Sequence, residues 1–98
     1  MSHIDETLTV TRNEAANRYE IHVGDVLGGF LEFEVDANGR LALPTTEIDH
    51  AYRGRGLSTV LIAQAMKDLA TGDQTVVPVC PVIVRYLQQN EVPGLTVE

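Results

Sequence analysis

The sequence predicts a single α/β domain: an antiparallel meander of four strands, a fifth strand parallel to the fourth, and two helices. Three observations carry this expectation. Apolar residues alternate with polar ones through the first half of the chain, the period of half-buried strands. The dipeptides Gly24-Asp25 and Asn38-Gly39 are hairpin turns of the favoured kind. From Leu57 the apolar spacing becomes helical, and a valine-rich strand follows that helix. A strand–helix–strand connection of this length implies parallel pairing.

Leu8 and Val10 alternate with Thr7, Thr9 and Thr11 as a first strand, and Asn13–Asn17 is its turn. Tyr19, Ile21 and Val23 mark the second strand. Val26–Val35 reads as the third, with Leu31, Phe33 and Val35 inward and Glu32, Glu34 and Asp36 outward. Gly28-Gly29 interrupts it, which suggests a bulge or a close backbone approach. The fourth strand runs from about Arg40 to Asp49 and changes phase, because Leu41 and Leu43 have one parity and Ile48 the other. Pro44 lies between them and cannot donate to a ladder, so a bulge at Pro44–Thr46 reconciles the phases and splays the strand from its neighbour. An ordinary proline kink at an edge is the alternative.

Leu57, Leu61 and Ala65 with Ile62, Met66 and Leu69 form one broad helical stripe, opposite Gln64, Lys67 or Asp68, and Thr71. Gly72 is the expected stop. Gln74–Val79 is the fifth strand and Pro81–Gln89 a second helix with Ile83, Val84 and Leu87 inward. Val92–Glu98 reads as an extended tail turning at Pro93-Gly94.

At 98 residues and 44% apolar, residues 1–98 make one folded domain with one core. No run approaches the ~18 apolar residues of a membrane span, and Met1–Thr7 is polar and acidic, unlike a signal peptide. The lone cysteine cannot form an internal disulfide, which fits the cytosol. A net charge of −7 argues against nucleic acid or an anionic membrane as partner. His3 and His22 have no ligand-like spacing with Cys80, so no metal is expected.

Against that acidic background, Arg53-Gly54-Arg55-Gly56 opens the first helix. A helix starting there offers unpaired N–H groups and the positive end of its dipole, and glycines let an anion approach. The local chemistry is that of a phosphate cradle; the plain alternative is a strand-to-helix turn with solvated arginines. The sequence has neither G-x-x-x-x-G-K-[ST] nor an N-terminal G-x-G-x-x-G after a strand, which argues against P-loop and dinucleotide sites.

The run Arg53-Gly54-Arg55-Gly56-Leu57-Ser58 resembles the R/Q-x-x-G-x-G/A pyrophosphate motif of the GNAT superfamily of N-acetyltransferases, and Thr46-Glu47-Ile48 resembles the strand leading into it. Val77-Pro78-Val79-Cys80-Pro81 resembles a segment of a small, single-domain subgroup of that superfamily. Two positions depart from the pattern. Ser58 replaces the usual Gly or Ala, and Thr45 stands where the subgroup often has histidine. The resemblance implies acetyl-CoA as acyl donor, an amine of unidentified kind as acceptor, and a slot in the sheet for the pantetheine arm. Arg53, Gly54, Arg55, Gly56, Leu57 and Ser58 would hold the pyrophosphate, and a backbone N–H near Ile48 would polarise the thioester carbonyl.

Three side chains are candidates for chemistry. Cys80 precedes Pro81, so it falls at a helix N-cap, where the positive helix end favours thiolate. It could orient or deprotonate the amine, accept the acyl group, or protonate the departing thiolate; the alternative is a small buried hydrophobe. Glu47 on the fourth strand is a possible general base, or else a solvated carboxylate. Tyr86, by the resemblance, could protonate the donor sulfur, although an aromatic on a helix commonly packs. His50 reads as a solvated loop residue. The alternatives to an acetyltransferase are a non-catalytic CoA-binding module, favoured by the shortness of the chain, and a structural domain without CoA.

Overall fold

The computed structural model describes residues 7–98; His3 and all but the last residue of Met1–Thr7 lie outside it. In chain order the elements are β1 (Leu8–Asn13), β2 (Arg18–Val23), β3 (Val26–Glu32), β4 (Glu34–Val35), β5 (Leu41–Leu43) and β6 (Thr46–Ile48). Then come α1 (Leu57–Leu69), β7 (Thr75–Pro78), α2 (Pro81–Gln89) and β8 (Thr96–Val97). The α/β class and the parallel pairing after α1 are as the sequence predicts.

The sheet, however, is divided in two, ordered β1-β2-β3-β6 and β4-β5-β7-β8. Both long strands read from the sequence break where they change partner. The third breaks at Phe33, whose N–H bonds to the Asn17 carbonyl at 3.0 Å instead of to a strand. Beyond it Val35 lies in β4 and is 63% exposed, contrary to the inward position expected from its parity. The fourth breaks at Pro44-Thr45, so β5 pairs with β7 in parallel (Leu41↔Val76) while β6 pairs with β3 antiparallel (Gly29↔Ile48). That is more than a bulge: the chain steps from one sheet to the other.

Gly28-Gly29 serves both of the purposes expected of it. The β2–β3 register slips between Ile21 and His22, leaving Gly28 as the extra residue. A Cβ on Gly29 would sit 2.6 Å from the Glu47 carbonyl and from Ile48 Cδ1, so only glycine lets β6 lie this close.

The core gathers Tyr19, Ile21, Leu31, Leu41 and Leu43 from the strands with Leu61, Ile62, Met66 and Ile83 from the helices. Burying each large aliphatic side chain contributes roughly 1.5–3 kcal/mol. Tyr19 buries its ring in this core, and its hydroxyl donates to Asp68 Oδ2 on α1 at 2.6 Å. Burial, then that bond, push its pKa upward. Asp68, an alternative to Lys67 for the wet face, thus ties α1 to the sheet.

Two ends differ from expectation. Gly72 does not adopt a left-handed conformation; α1 ends because the Thr71 hydroxyl and amide both donate to the Asp68 carbonyl, at 2.6 and 3.1 Å. The tail turns at Gly94 (φ +87°) as read, then adds β8 beside β7 in parallel.

Candidate functional site

The step between sheets opens a cleft of about 290 Å³ lined by Thr46, Glu47 and Ile48, the 52–58 turn, and Val82. On one wall β6 is an edge strand. The bonds Glu32 N–H to Thr45 O and Asp49 N–H to Gly28 O (2.9 and 2.8 Å) aim residues 45 and 49 at β3. Antiparallel alternation then puts the amides of Thr46 and Ile48 on the unpaired edge, facing the cleft. β7 follows β5 only to Pro78, and Val79 and Cys80 close the parting by bonding the Leu43 carbonyl (3.2 and 2.9 Å).

The floor is built from backbone. Asp49 caps a single 3-10 turn, His50–Tyr52, by accepting from the Ala51 N–H at 2.9 Å. Gly54 (φ +79°) and Gly56 (φ +80°) then take the left-handed conformation, with nothing within 4 Å of where a Cβ would stand. Gly56 is the N-cap of α1 and has no side chain to satisfy the first turn. Those N–H groups have no intrahelical acceptor and carry the positive end of the dipole. Arg53 donates its Nε to the Ile48 carbonyl at 3.1 Å, holding the guanidinium against β6. The Arg55 guanidinium lies 5.5 Å from the centre of the Tyr52 ring. This donor set suits a phosphate-bearing ligand.

Of the predicted residues, Glu47, Ile48, Arg53, Gly54, Gly56, Leu57 and Ser58 line this one cleft. Arg55 belongs to the same turn without lining it. Glu47 is exposed and also borders a second cavity of about 250 Å³, beyond β6, with Phe30, Asp49 and His50. Tyr86 is not brought here. It packs against the core and lines a separate cavity of about 540 Å³ with Gln64, Lys67 and Glu91.

Cys80 lies just behind the cleft wall, 7% exposed, as the N-cap of α2. Burial pushes its thiol pKa up, but donors from the Thr46 hydroxyl, the Val82 and Ile83 amides and the Thr46 amide outweigh it, and the net shift is downward. These groups act on the sulfur as neighbouring dipoles: Cys80 makes no capping hydrogen bond to α2, and Thr46 Oγ1 bonds no partner. Among the described residues, Thr46 Oγ1 is the buried side-chain oxygen that no hydrogen-bond partner satisfies.

Residues 18–93 match the family profile described as GCN5-related N-acetyl-transferase. The chain belongs to the GCN5-related N-acetyltransferase family. No curated protein matches it. The matched span runs through both strand breaks, the arginine–glycine turn and Cys80.

Thr46, Tyr52 and Val82 line the cleft without having been singled out from the sequence, and Thr46 also holds the buried, unsatisfied hydroxyl. Its signal was there in the phase change beside Pro44, but one threonine on a strand resembles the exposed Thr9 and Thr11 of β1. Among the described residues, no group of three His, Cys, Asp or Glu side chains is placed to hold a metal, and no helix is long and apolar enough to cross a membrane.

Proposed function

We propose that this protein transfers an acetyl group from acetyl-CoA to an amine. The observation that carries the reading is the continuity of one cleft. It runs from the unpaired edge of β6 to the uncapped N-terminus of α1 at Gly56.

In this reading the donor supplies a thioester activated for attack. The first-turn amides after Gly56 and the Arg53 and Arg55 side chains bind its pyrophosphate. The Ile48 N–H on the open edge stabilises negative charge developing on the carbonyl oxygen, a contribution worth about 2.7–4 kcal/mol for one such donor. The close packing of Gly29 on β6 keeps that edge in position, and the walls exclude water from one side. Glu47, on the rim and exposed, would take a proton from the amine through water. Cys80 is placed beside the same end of β6. The lone cysteine and the lack of a membrane-spanning helix among the described residues fit a cytosolic location.

Calorimetric titration with acetyl-CoA and with CoA tests it, comparing the wild type with the Arg53→Ala/Gly56→Glu double variant. Saturable binding lost in the double variant, together with thiol release in the presence of an amine panel, is the expected result. Binding without release from any amine would leave a CoA-binding module. No binding at millimolar ligand would overturn both readings.

A further inference from the structure

Gly28-Gly29 shapes the outer face of the first sheet as well as its packing. Leu27 lies opposite His22 and Phe30 opposite Glu20, so both side chains share the face turned away from α1. The two glycines between them would both aim a Cβ inward, Gly28 at Leu57 and Val23, Gly29 at Ile48. The bulge therefore turns two successive positions inward where a regular strand turns one. What remains outside is a hollow of about 250 Å³ with a backbone floor, Leu27 and Phe30 as apolar walls, and Glu47 and Asp49 at its margin.

This hollow adjoins the cleft, because Glu47, Ile48 and Arg53 line both. The cavities at Tyr86, at Gly94 and at Pro44 share no lining residue with the cleft. We propose that the hollow seats the acceptor, and that the acceptor is a small primary amine on an apolar body with no anionic group. The inference rests on the acyl-transfer reading above and names its second substrate.

An alkyl amine reaches the protein as an ammonium at neutral pH. No salt bridge among the described residues involves Glu47 or Asp49. Asp49 gives one oxygen to the Ala51 N–H and keeps the other. Glu20, beside Phe30, is by contrast held by Arg18 at 2.8 Å, and Arg18 stacks on the Phe30 ring at 4.6 Å without lining the hollow. Arg53 does border it, with its Nε committed to the Ile48 carbonyl. The hollow thus offers carboxylates to a cation and Leu27, 39% exposed, to a hydrocarbon body. An amino acid would bring its own carboxylate against Glu47 and Asp49. The volume falls below the ~300–1,000 Å³ of drug-sized sites, which limits the body to a small one.

Glu47, on the border of both spaces, takes one proton from the ammonium through water. The neutral nitrogen then bonds to the acyl carbon, and the carbon–sulfur bond breaks with its electron pair on the donor sulfur. The proton that the nitrogen sheds goes through water to that sulfur, and Glu47 returns its own to solvent. An amide, a thiol and one proton are the products.

Phenethylamine is the probe. Added to the wild type saturated with CoA, it should shift the backbone amide NMR signals of Gly28, Gly29 and Phe30, with no turnover required. Leu27→Lys puts an ammonium into the hollow from an exposed position, so its melting temperature should stay near the wild type's. With acetyl-CoA as donor it should raise KM for phenethylamine about tenfold, the lower end for one altered contact in an apolar pocket. The kcat and the acetyl-CoA affinity should change little, and Leu27→Met should keep the wild-type KM. Phenylalanine, the same body with a carboxylate, should have a kcat/KM roughly 100-fold lower, since like charges are brought together.

Amide shifts confined to another part of the fold would overturn the hollow as acceptor site. So would an unchanged KM in Leu27→Lys, or a lysine peptide acetylated faster than phenethylamine; each of these leaves acyl transfer standing. Acetyl-CoA binding without thiol release from any amine would overturn the acyl-transfer reading, and the acceptor assignment with it.

Discussion

Each helix of this protein begins at the carboxyl end of a strand, and the two beginnings are built in opposite ways. α1 starts at Gly56, left-handed and exposed, with no side chain to cap its amides. α2 starts at Cys80, extended and buried, with no capping hydrogen bond from its side chain and with surroundings that lower the thiol pKa. Both use the same positive helix end. One leaves it open to solution, and the other buries it behind a thiol. One kind of element thus gives the molecule an open helix start at α1 and a closed one at α2.

The comparison can be broken most severely at α2. Ile83 is fully buried and fastens the first turn of α2 to the core. Ile83→Ala should cost about 2–5 kcal/mol, read as a lower melting temperature, and should raise the Cys80 thiolate midpoint as the turn loosens. An unchanged melt would mean that α2 is not anchored there.

At α1, Gly56→Glu forces a side chain onto φ +80° and puts a carboxylate where the anion should sit. Affinity for CoA should fall at least ~100-fold, about 2.7 kcal/mol. Binding that survives would show the pyrophosphate lies elsewhere. Arg53→Ala is milder because the backbone donors remain: about tenfold weaker binding, roughly 1.4 kcal/mol. Its binding should also depend less on salt than the wild type's, measured across an ionic-strength series.

The smallest effect is the pH dependence of Cys80. Its folded pKa lies below the ordinary thiol value. The contribution of the thiolate is therefore fully present above the unfolded thiol pKa, about 8.5, and is lost as pH falls through the folded value. The stability difference between wild type and Cys80→Ser should thus grow as pH rises from the folded value toward the unfolded one, about 8.5. A difference that is flat with pH would mean the thiol titrates alike in both states.

Much of this was legible because the deciding interactions are local. Pro81 at the first helical position and the Ile83–Leu87 stripe suffice to define α2, and Arg53–Ser58 carries its own chemistry in type and spacing. What was hidden depends on partners distant in sequence. Parity along Val26–Val35 places Val35 inward only if the strand continues, and it stops because Asn17 takes the Phe33 amide. Tyr86 sits one residue before Leu87 on a helix face that turns away from the cleft, which no spacing rule orients. β8 is two residues long, too short for any period to be seen.

The chain crosses between its two sheets at Phe33 and again at Pro44-Thr45, on neighbouring strands. Those paired crossings are a joint. A ligand gripping β6 on one side and α2 on the other would act as a pin through that joint, adding a third link between the halves. Bound acetyl-CoA should therefore slow amide exchange far beyond the atoms it touches, along β5 and β7 as well as β6, and the joint itself should be the last place to open.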